Sequence, residues 1–445
     1  MKTYQDLVAI GENEKERMEF IRSLINEHKA SNKYKEAVIA EQYDAHQNVT
    51  ITRYQKFLYD ISGKAVPDNY SANYKLPSNF FHIFTTQEVQ HLLGNGVTWI
   101  NRVEDKLGGD FDNKLQEVAH DALLGGEAFG FYNLDHLEVF SLTEFAPLYD
   151  EENGALMAGA RFWQVASDKP LRATLYEPDG YTEYIWRDNE GAVLKEKRGY
   201  VANVRESEVD GTEIYDFENY PTFPIVPMFA NKYRQSALIG IRQGIDCYDL
   251  IKSGFANDLD DAAQIFWILQ NAGGMSEIDL ARFVERLKTV HATNVDDDVT
   301  AEAHTTEIPY ESREALLERI AKDLYRDAMA LNVQDIVNGA TTATQIRAAY
   351  EMLTEKCDSF EYFVLDFIDK ILSLAGIENE KPTFTRSLII NKLEEIQAVE
   401  SSATHLSQDY VTRKVMTILG DADKADDVIK EMQAEEIDRF SIETE

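Results

Sequence analysis

Cysteine is nearly absent: 445 residues hold two, Cys247 and Cys357. That count excludes a disulfide framework and a thiolate zinc site, and each thiol reads as a small core hydrophobe. Proline is sparse, and none falls between Pro227 and Pro309, so long uninterrupted helices are permitted there. No stretch reaches the roughly 18 uninterrupted apolar residues of a membrane span. The opening MKTYQDLVAIGENEKERMEF is mixed in charge and lacks an apolar signal core. The expectation is a soluble protein of a reducing compartment. Cations are also short: 44 Lys and Arg face 79 Asp and Glu, a net charge of −35. Proteins that grip phosphates offer a basic face, because neutralising phosphates releases counterions. This chain repels phosphate on average.

The usual catalytic signatures are missing as well. There is no HExxH, no Cys–His pair and no GxSxG. Gly94-Asn95-Gly96 has no Lys-Ser/Thr after it and opens no βαβ unit, so no ATP-phosphate cradle is expected. His120 and Asp121 are neighbours on a helix and do not share a face. Asp296, Asp297 and Asp298 offer hard oxygens but lack the glycine and terminal glutamate of a calcium loop, so the run reads as a solvated turn or a docking tip. Asn257, Asp258, Asp260 and Asp261 occupy nearly consecutive helical angles. They spread around a helix instead of converging on a metal pair.

What is present suffices for large cores: 44% of residues are hydrophobic and 11% aromatic, over a length that suits two or three domains. Residues 13–28 carry Met18, Ile21, Leu24 and Ile25 at helical spacing. An aromatic stretch broken by Asn, Gly, Pro and Ser follows over 52–81 and reads as loops. Helices are expected over 85–93 and 111–124, the second broken at Gly125-Gly126. From 127 to 227 the texture turns to short aromatic and β-branched runs separated by DEENG, EPDG and DNEG, which predict an antiparallel meander. A long helix is expected over 235–265, and the WILQNAGG that follows ends with Gly273-Gly274. A small α/β unit is expected over 266–311, with strand-like HATNV and HTTEIPY either side of the acidic tip. An amphipathic helix is expected over 312–331, a polar segment over 332–343, and the longest helix over 344–374. The remainder reads as helical with an acidic tail. Two long helices holding a small module away from the body form a stalk, and copies arranged in a ring would cover its apolar faces.

Several strings carry a resemblance. They are KLPSNFFHIFTTQEVQHLLGNGVTW (75–99), LQEVAHDALLGGEAFGFYN (115–133), FPIVPMFANKYRQSALIGIRQGIDCYDLIKSGFANDLDDAAQIFWIL (223–269) and IPYESREALLERIAKDLY (308–325). In this order they are similar to the portal protein, or head–tail connector, of tailed double-stranded-DNA phages of the siphophage type. Asn95-Gly96 stands where that family usually has Lys-Pro.

The resemblance implies an α+β, mainly helical portal fold. Residues 1–230 would be a wing with an antiparallel β region, 231–265 and 312–331 stem helices, and 266–311 a clip. Residues 332–343 would be a tunnel loop, 344–377 a long wing helix, and 378–445 a crown with an acidic tail. The stem would carry Asn257, Asp258, Asp260 and Asp261, and the clip would dock the packaging motor through Asp296, Asp297 and Asp298. DNA would face Asn332, Val333, Gln334, Asp335, Ile336, Val337, Asn338 and Gly339. The resemblance further implies a ring of about twelve copies at one capsid vertex, assembled in the host cytoplasm, with no catalysis, cofactor, metal or membrane. Its partners would be the terminase large subunit, head–tail adaptors, capsid and scaffolding proteins, and DNA passing through the channel.

The net acidity suits DNA that is passed, not held. The loop string LNVQDIVNGATTATQI has no Lys or Arg, and its only charge is Asp335. Two alternatives stand beside this reading. One is an acidic metal-dependent hydrolase, whose mark would be three or more acids and a His gathered in one pocket. The other is a different head-completion protein, which would lack the stem, clip and loop order.

Overall fold

A computed structural model describes residues 2–59, 63–69, 71–101, 103–187, 190–206, 213–262, 266–270, 276, 278, 300–304, 310–334, 343–386, 392–419 and 424–432. The chain divides into two compact units. The first comprises Met1–His28, Thr85–Arg234 and Met329–Glu445, and the second Lys29–Phe84 and Gln235–Ala328.

Along the chain come α1 (Tyr4–Ile10), α2 (Glu14–Ala30), α3 (Asn32–Asp44), α4 (Val49–Thr52) and the hairpin β1 (Phe57–Tyr59) and β2 (Ala65–Pro67). Then follow α5 (Phe80–Leu93), β3 (Val97–Thr98), α6 (Glu104–Leu107) and α7 (Phe111–Gly125). The strands β4 (Glu127–Asn133), β5 (His136–Phe140), β6 (Phe145–Tyr149), β7 (Leu156–Trp163), β8 (Leu171–Glu177), β9 (Gly180–Arg187), β10 (Glu190–Arg198), β11 (Val201–Glu206), β12 (Glu213–Glu218) and β13 (Ile225–Phe229) come next. The rest is α8 (Arg242–Ala262), β14 (Phe266–Gln270), β15 (Thr300–His304), α9 (Tyr310–Asp327), α10 (Ala343–Leu374), β16 (Thr383–Phe384), α11 (Lys392–Ser402) and α12 (Gln408–Leu419). The class is α+β and mainly helical, as expected.

In the first unit, α1 starts with a capping box: Thr3 Oγ1 accepts from Asp6 N, and the Asp6 carboxylate accepts from Thr3 N at 3.0 Å. Helix α7 stops at Gly126, whose φ of 83° is the left-handed cap the sequence break announced. The single meander expected over 127–227 resolves into three antiparallel sheets. Strands β6 to β10 form a true five-stranded meander. The returning strand β13 instead pairs with β4 in the order β13-β4-β5, and β11 pairs with β12 alone. Alternation fixes a strand and its faces but not its partner across the sheet, so one texture contains all three.

An aromatic core joins the first two sheets. Phe129 lies 4.6 Å from Phe145, and Phe131 lies 5.3 Å from Tyr176, centroid to centroid. Helix α10 crosses β13 and β4 where Gly130 leaves room. A Cβ there would sit 2.5 Å from the Phe367 ring, so only glycine admits the helix at this distance. Arg17 of α2 pairs with the buried Glu177 of β8, which also meets Lys197 at 3.2 Å.

In the second unit, α8 and α9 pack together, and Gly244 of α8 faces Leu324 of α9 at a distance a methyl group would close to 2.8 Å. Phe80 stands edge-on to Tyr248 and to Tyr325, and Phe84 to Tyr325. Helix α8 is shorter than expected, because Leu238 to Ile241 form turns before it starts at Arg242. Phe266–Gln270, at the start of the expected small α/β unit, is strand β14, paired antiparallel with β15 from Phe266↔His304 to Gln270↔Thr300. The expected strand HATNV, the tip at 296–298 and residues 305–309 lie outside the described residues.

Candidate functional site

The expected stem residues lie on the distal half of α8, and the structure separates them. Asn257 is buried, and its Oδ1 accepts from Tyr74 N at 2.6 Å. Asp258 pairs with Arg313 of α9. Asp260 is exposed, and the Asp261 side chain lies outside the described ones. No shared ligand site forms from Asn257, Asp258 and Asp260, in line with their helical angles.

Asn257 belongs instead to a ladder the acids did not suggest. Asp249, Ser253 and Asn257 stand four residues apart on one face of α8. Asp249 Oδ1 accepts from Ser78 N at 2.8 Å, Ser253 Oγ from Leu76 N at 3.0 Å, and Asn257 Oδ1 from Tyr74 N. Four helical residues rise about 6 Å and two extended residues about 6.6 Å. A helix face therefore matches alternate N–H groups of an extended segment. Asn48 braces the buried end, donating to Asp249 and, at 3.0 Å, to Ser78 O. Asp249 and Ser253 fall in the matched string 223–269, but sequence alone assigned them no role. Their spacing of four was the available signal.

Along the helix pair, burial fades toward the β14–β15 end. On α8 it runs from Ile245, fully buried, to Leu259, 51% exposed; on α9 it runs from Leu324, at 3%, to Tyr310, at 57%.

In the first unit, α5 holds both chain segments that flank the polar stretch 332–343. Gln87 Nε2 donates to Leu331 O at 3.0 Å, and Leu331 N donates to Gln87 Oε1 at 3.1 Å. On α10, the Tyr350 ring stacks on His91 at 5.4 Å, and Thr354 Oγ1 lies 3.2 Å from His91 Nε2. Lys356 Nζ reaches the buried Glu88 carboxylate at 2.7 Å, and Cys357 Sγ–H points to Glu88 O at 3.5 Å. None of these α5 contacts was foreseen. Of the expected loop residues, Asn332 accepts from Gln334 N at 3.2 Å, Val333 is 42% exposed and Gln334 is exposed. Asp335, Ile336, Val337, Asn338 and Gly339, like Asp296, Asp297 and Asp298, lie outside the described residues.

Cys357 is the core residue expected, with its thiol pushed up to about 12 by burial and, next, by Glu88. Cys247 is not: it is exposed on α8. The thiolate is the reactive form. At pH 8 an alkylating reagent is expected to label one thiol per unassembled chain, and none in Cys247→Ser, as read by intact mass.

Known relatives give the class first: they are structural proteins of phages. The chain is 25% identical over 380 residues to the portal protein of Clostridium phage phiCD119, covering 77% of this chain and 81% of that one. It is 24% identical over 384 residues to the portal protein of Bacillus phage SPP1, covering 80% and 75%. The family model described as "Phage portal protein, SPP1 Gp6-like" matches residues 40–439, and the chain belongs to that family. Its role is structural: it is a phage capsid component that works as an oligomer at the vertex through which the genome passes. The family assignment supports a structural role for the chain. No helix among the described residues is long and apolar enough to cross a membrane.

Proposed function

We propose that about twelve copies close into a ring at one capsid vertex, and that DNA enters and leaves the capsid along its axis. In this reading α8 and α9 are stem helices, residues 266–311 are the clip, and residues 332–343 line the channel. Residues 1–230 and 344–377 form the wing, and 378–445 the crown. The clip, with Asp296 to Asp298, docks the terminase large subunit during packaging and head–tail adaptors afterwards. Capsid and scaffolding proteins hold the ring at the vertex, and assembly takes place in the host cytoplasm.

The observation that supports this most is the fading burial along α8 and α9. The pair covers its own apolar stripe at one end and leaves Leu259, Leu316 and Tyr310 uncovered at the other. Burying such side chains stabilises by roughly 1.5–3 kcal/mol each, and a neighbouring copy at the same height supplies the surface.

Charge opposes closure. Copies at −35 each put a charge on the order of −400 on the ring. Rings are therefore expected to need salt or divalent cations, which at 0.1 M screen repulsion between charges more than about 10 Å apart. Negative-stain imaging and light scattering across ionic strength test both parts. A compact monomer at every ionic strength would overturn the ring. Rings equally stable in low salt would overturn the electrostatic account of closure.

A further inference from the structure

We propose that Gln87 is the positioning residue for the segment 332–343: it fixes the point and direction at which the chain enters that segment. The proposal rests on the reading of 332–343 as channel lining. The Gln87 side-chain amide matches both backbone groups of Leu331, donating to one and accepting from the other, as one rung of an antiparallel ladder does. Leu331 is buried, so its N–H and C=O need partners, and Gln87 supplies both. Two residues earlier, Met329 takes a left-handed φ of 52°, an uncommon conformation for a side chain of its size. The chain thus turns sharply and is clasped immediately afterwards.

The helix that follows the segment, α10, is held by the same helix, α5. Gln87, Glu88 and His91 lie within about one turn of α5, and Glu88 and His91 hold α10 through Lys356, Thr354 and Tyr350. One rigid helix therefore sets the separation between the chain entering the segment and the helix leaving it.

The test uses full-length rings of two variants. Gln87→Leu removes both hydrogen bonds. Gln87→Glu keeps an acceptor for Leu331 N–H and sets a carboxylate against Leu331 O. Hydrogen exchange of the Leu331 amide is expected to rise about tenfold in Gln87→Leu and distinctly less in Gln87→Glu, with residues 350–357 unchanged in both. Ring assembly and melting temperature are expected to hold, while DNA packaged into empty capsids falls several-fold in both. A role in bulk packing would not separate the two variants at one amide. Leu331 exchange equal in wild type and both variants would overturn the clasp. Loss of assembly in both would make Gln87 a general stability residue and overturn the proposal. Faster Leu331 exchange with wild-type packaging would leave the clasp standing and sink the channel-lining reading beneath it.

Discussion

Replacing Asp249 by Ala is expected to free residues 71–79 from α8 and to cost about 3–5 kcal/mol, because it strands two buried donors at about 1–3 kcal/mol each and removes a charged acceptor. Asp249 is fully buried and holds Ser78 N and the Asn48 amide. Ser253→Ala and Asn257→Ala each remove a single neutral acceptor further along the ladder, and about 1–2 kcal/mol is expected for each. A chain of two units need not unfold in one step, so the readout must be local. Hydrogen exchange and protease cleavage within 71–79 should rise steeply in Asp249→Ala and modestly in the other two. Cleavage as slow in Asp249→Ala as in wild type would mean the ladder carries no stability.

The same carboxyl gives the ladder a pH dependence. Burial raises the Asp249 carboxyl above its usual range, against the opposing pull of its hydrogen bonds from Asn48 and Ser78. Between the ordinary carboxylate value and that raised value, the folded chain keeps a proton that the unfolded chain has released. The contribution is full below the ordinary value and is lost as pH rises through the raised one. Asp249→Asn is expected to flatten this slope in the 71–79 cleavage rate.

Much of the fold was legible because helical periodicity is a local signal. The α10 stripe Tyr350, Leu353, Cys357, Phe360, Val364, Phe367 and Ile371 is buried throughout. Helix α3 left no such trace, since two of its three buried positions are Ala37 and Ala40, and alanine marks a face weakly. Phe266–Gln270 is a short apolar run that periodicity cannot assign between helix and strand. Only its pairing with Thr300–His304, distant in the chain, decides it. The candidate site was legible by residue type and not by partner. A search for carboxylates finds Asp258 and Asp260, yet Asp249 matters for the backbone amide it faces, and Gln87 for a carbonyl and an amide far along the chain. Neither partner is named by the residue's own neighbourhood. The family resemblance reached the function by another route, through the order of strings along the whole chain, and the comparisons bear it out.

Rings carrying Val333→Lys or Gln334→Lys are expected to assemble normally and to package DNA several-fold more slowly in low salt. Both side chains are exposed, so a lysine there has no core to disturb. The stretch 331–346 carries Asp335 as its only charge, and under the proposed channel-lining role a thread with one negative charge per about 1.7 Å would slide past it without counterion release to reward stopping. In the proposed ring, one lysine per copy would put about twelve cations around a single level of the channel. Each phosphate contact then releases counterions and becomes a trap that the next step must break. Because that attraction weakens steeply with salt, packaging by the lysine variants should recover as ionic strength rises, whereas Val333→Gln, similar in length and uncharged, should show neither the slowing nor the recovery. A steric obstruction would slow all three alike and ignore salt. Lysine rings that package at the wild-type rate in low salt would place residues 333 and 334 away from the DNA path, and the channel lining would have to be sought elsewhere in the chain.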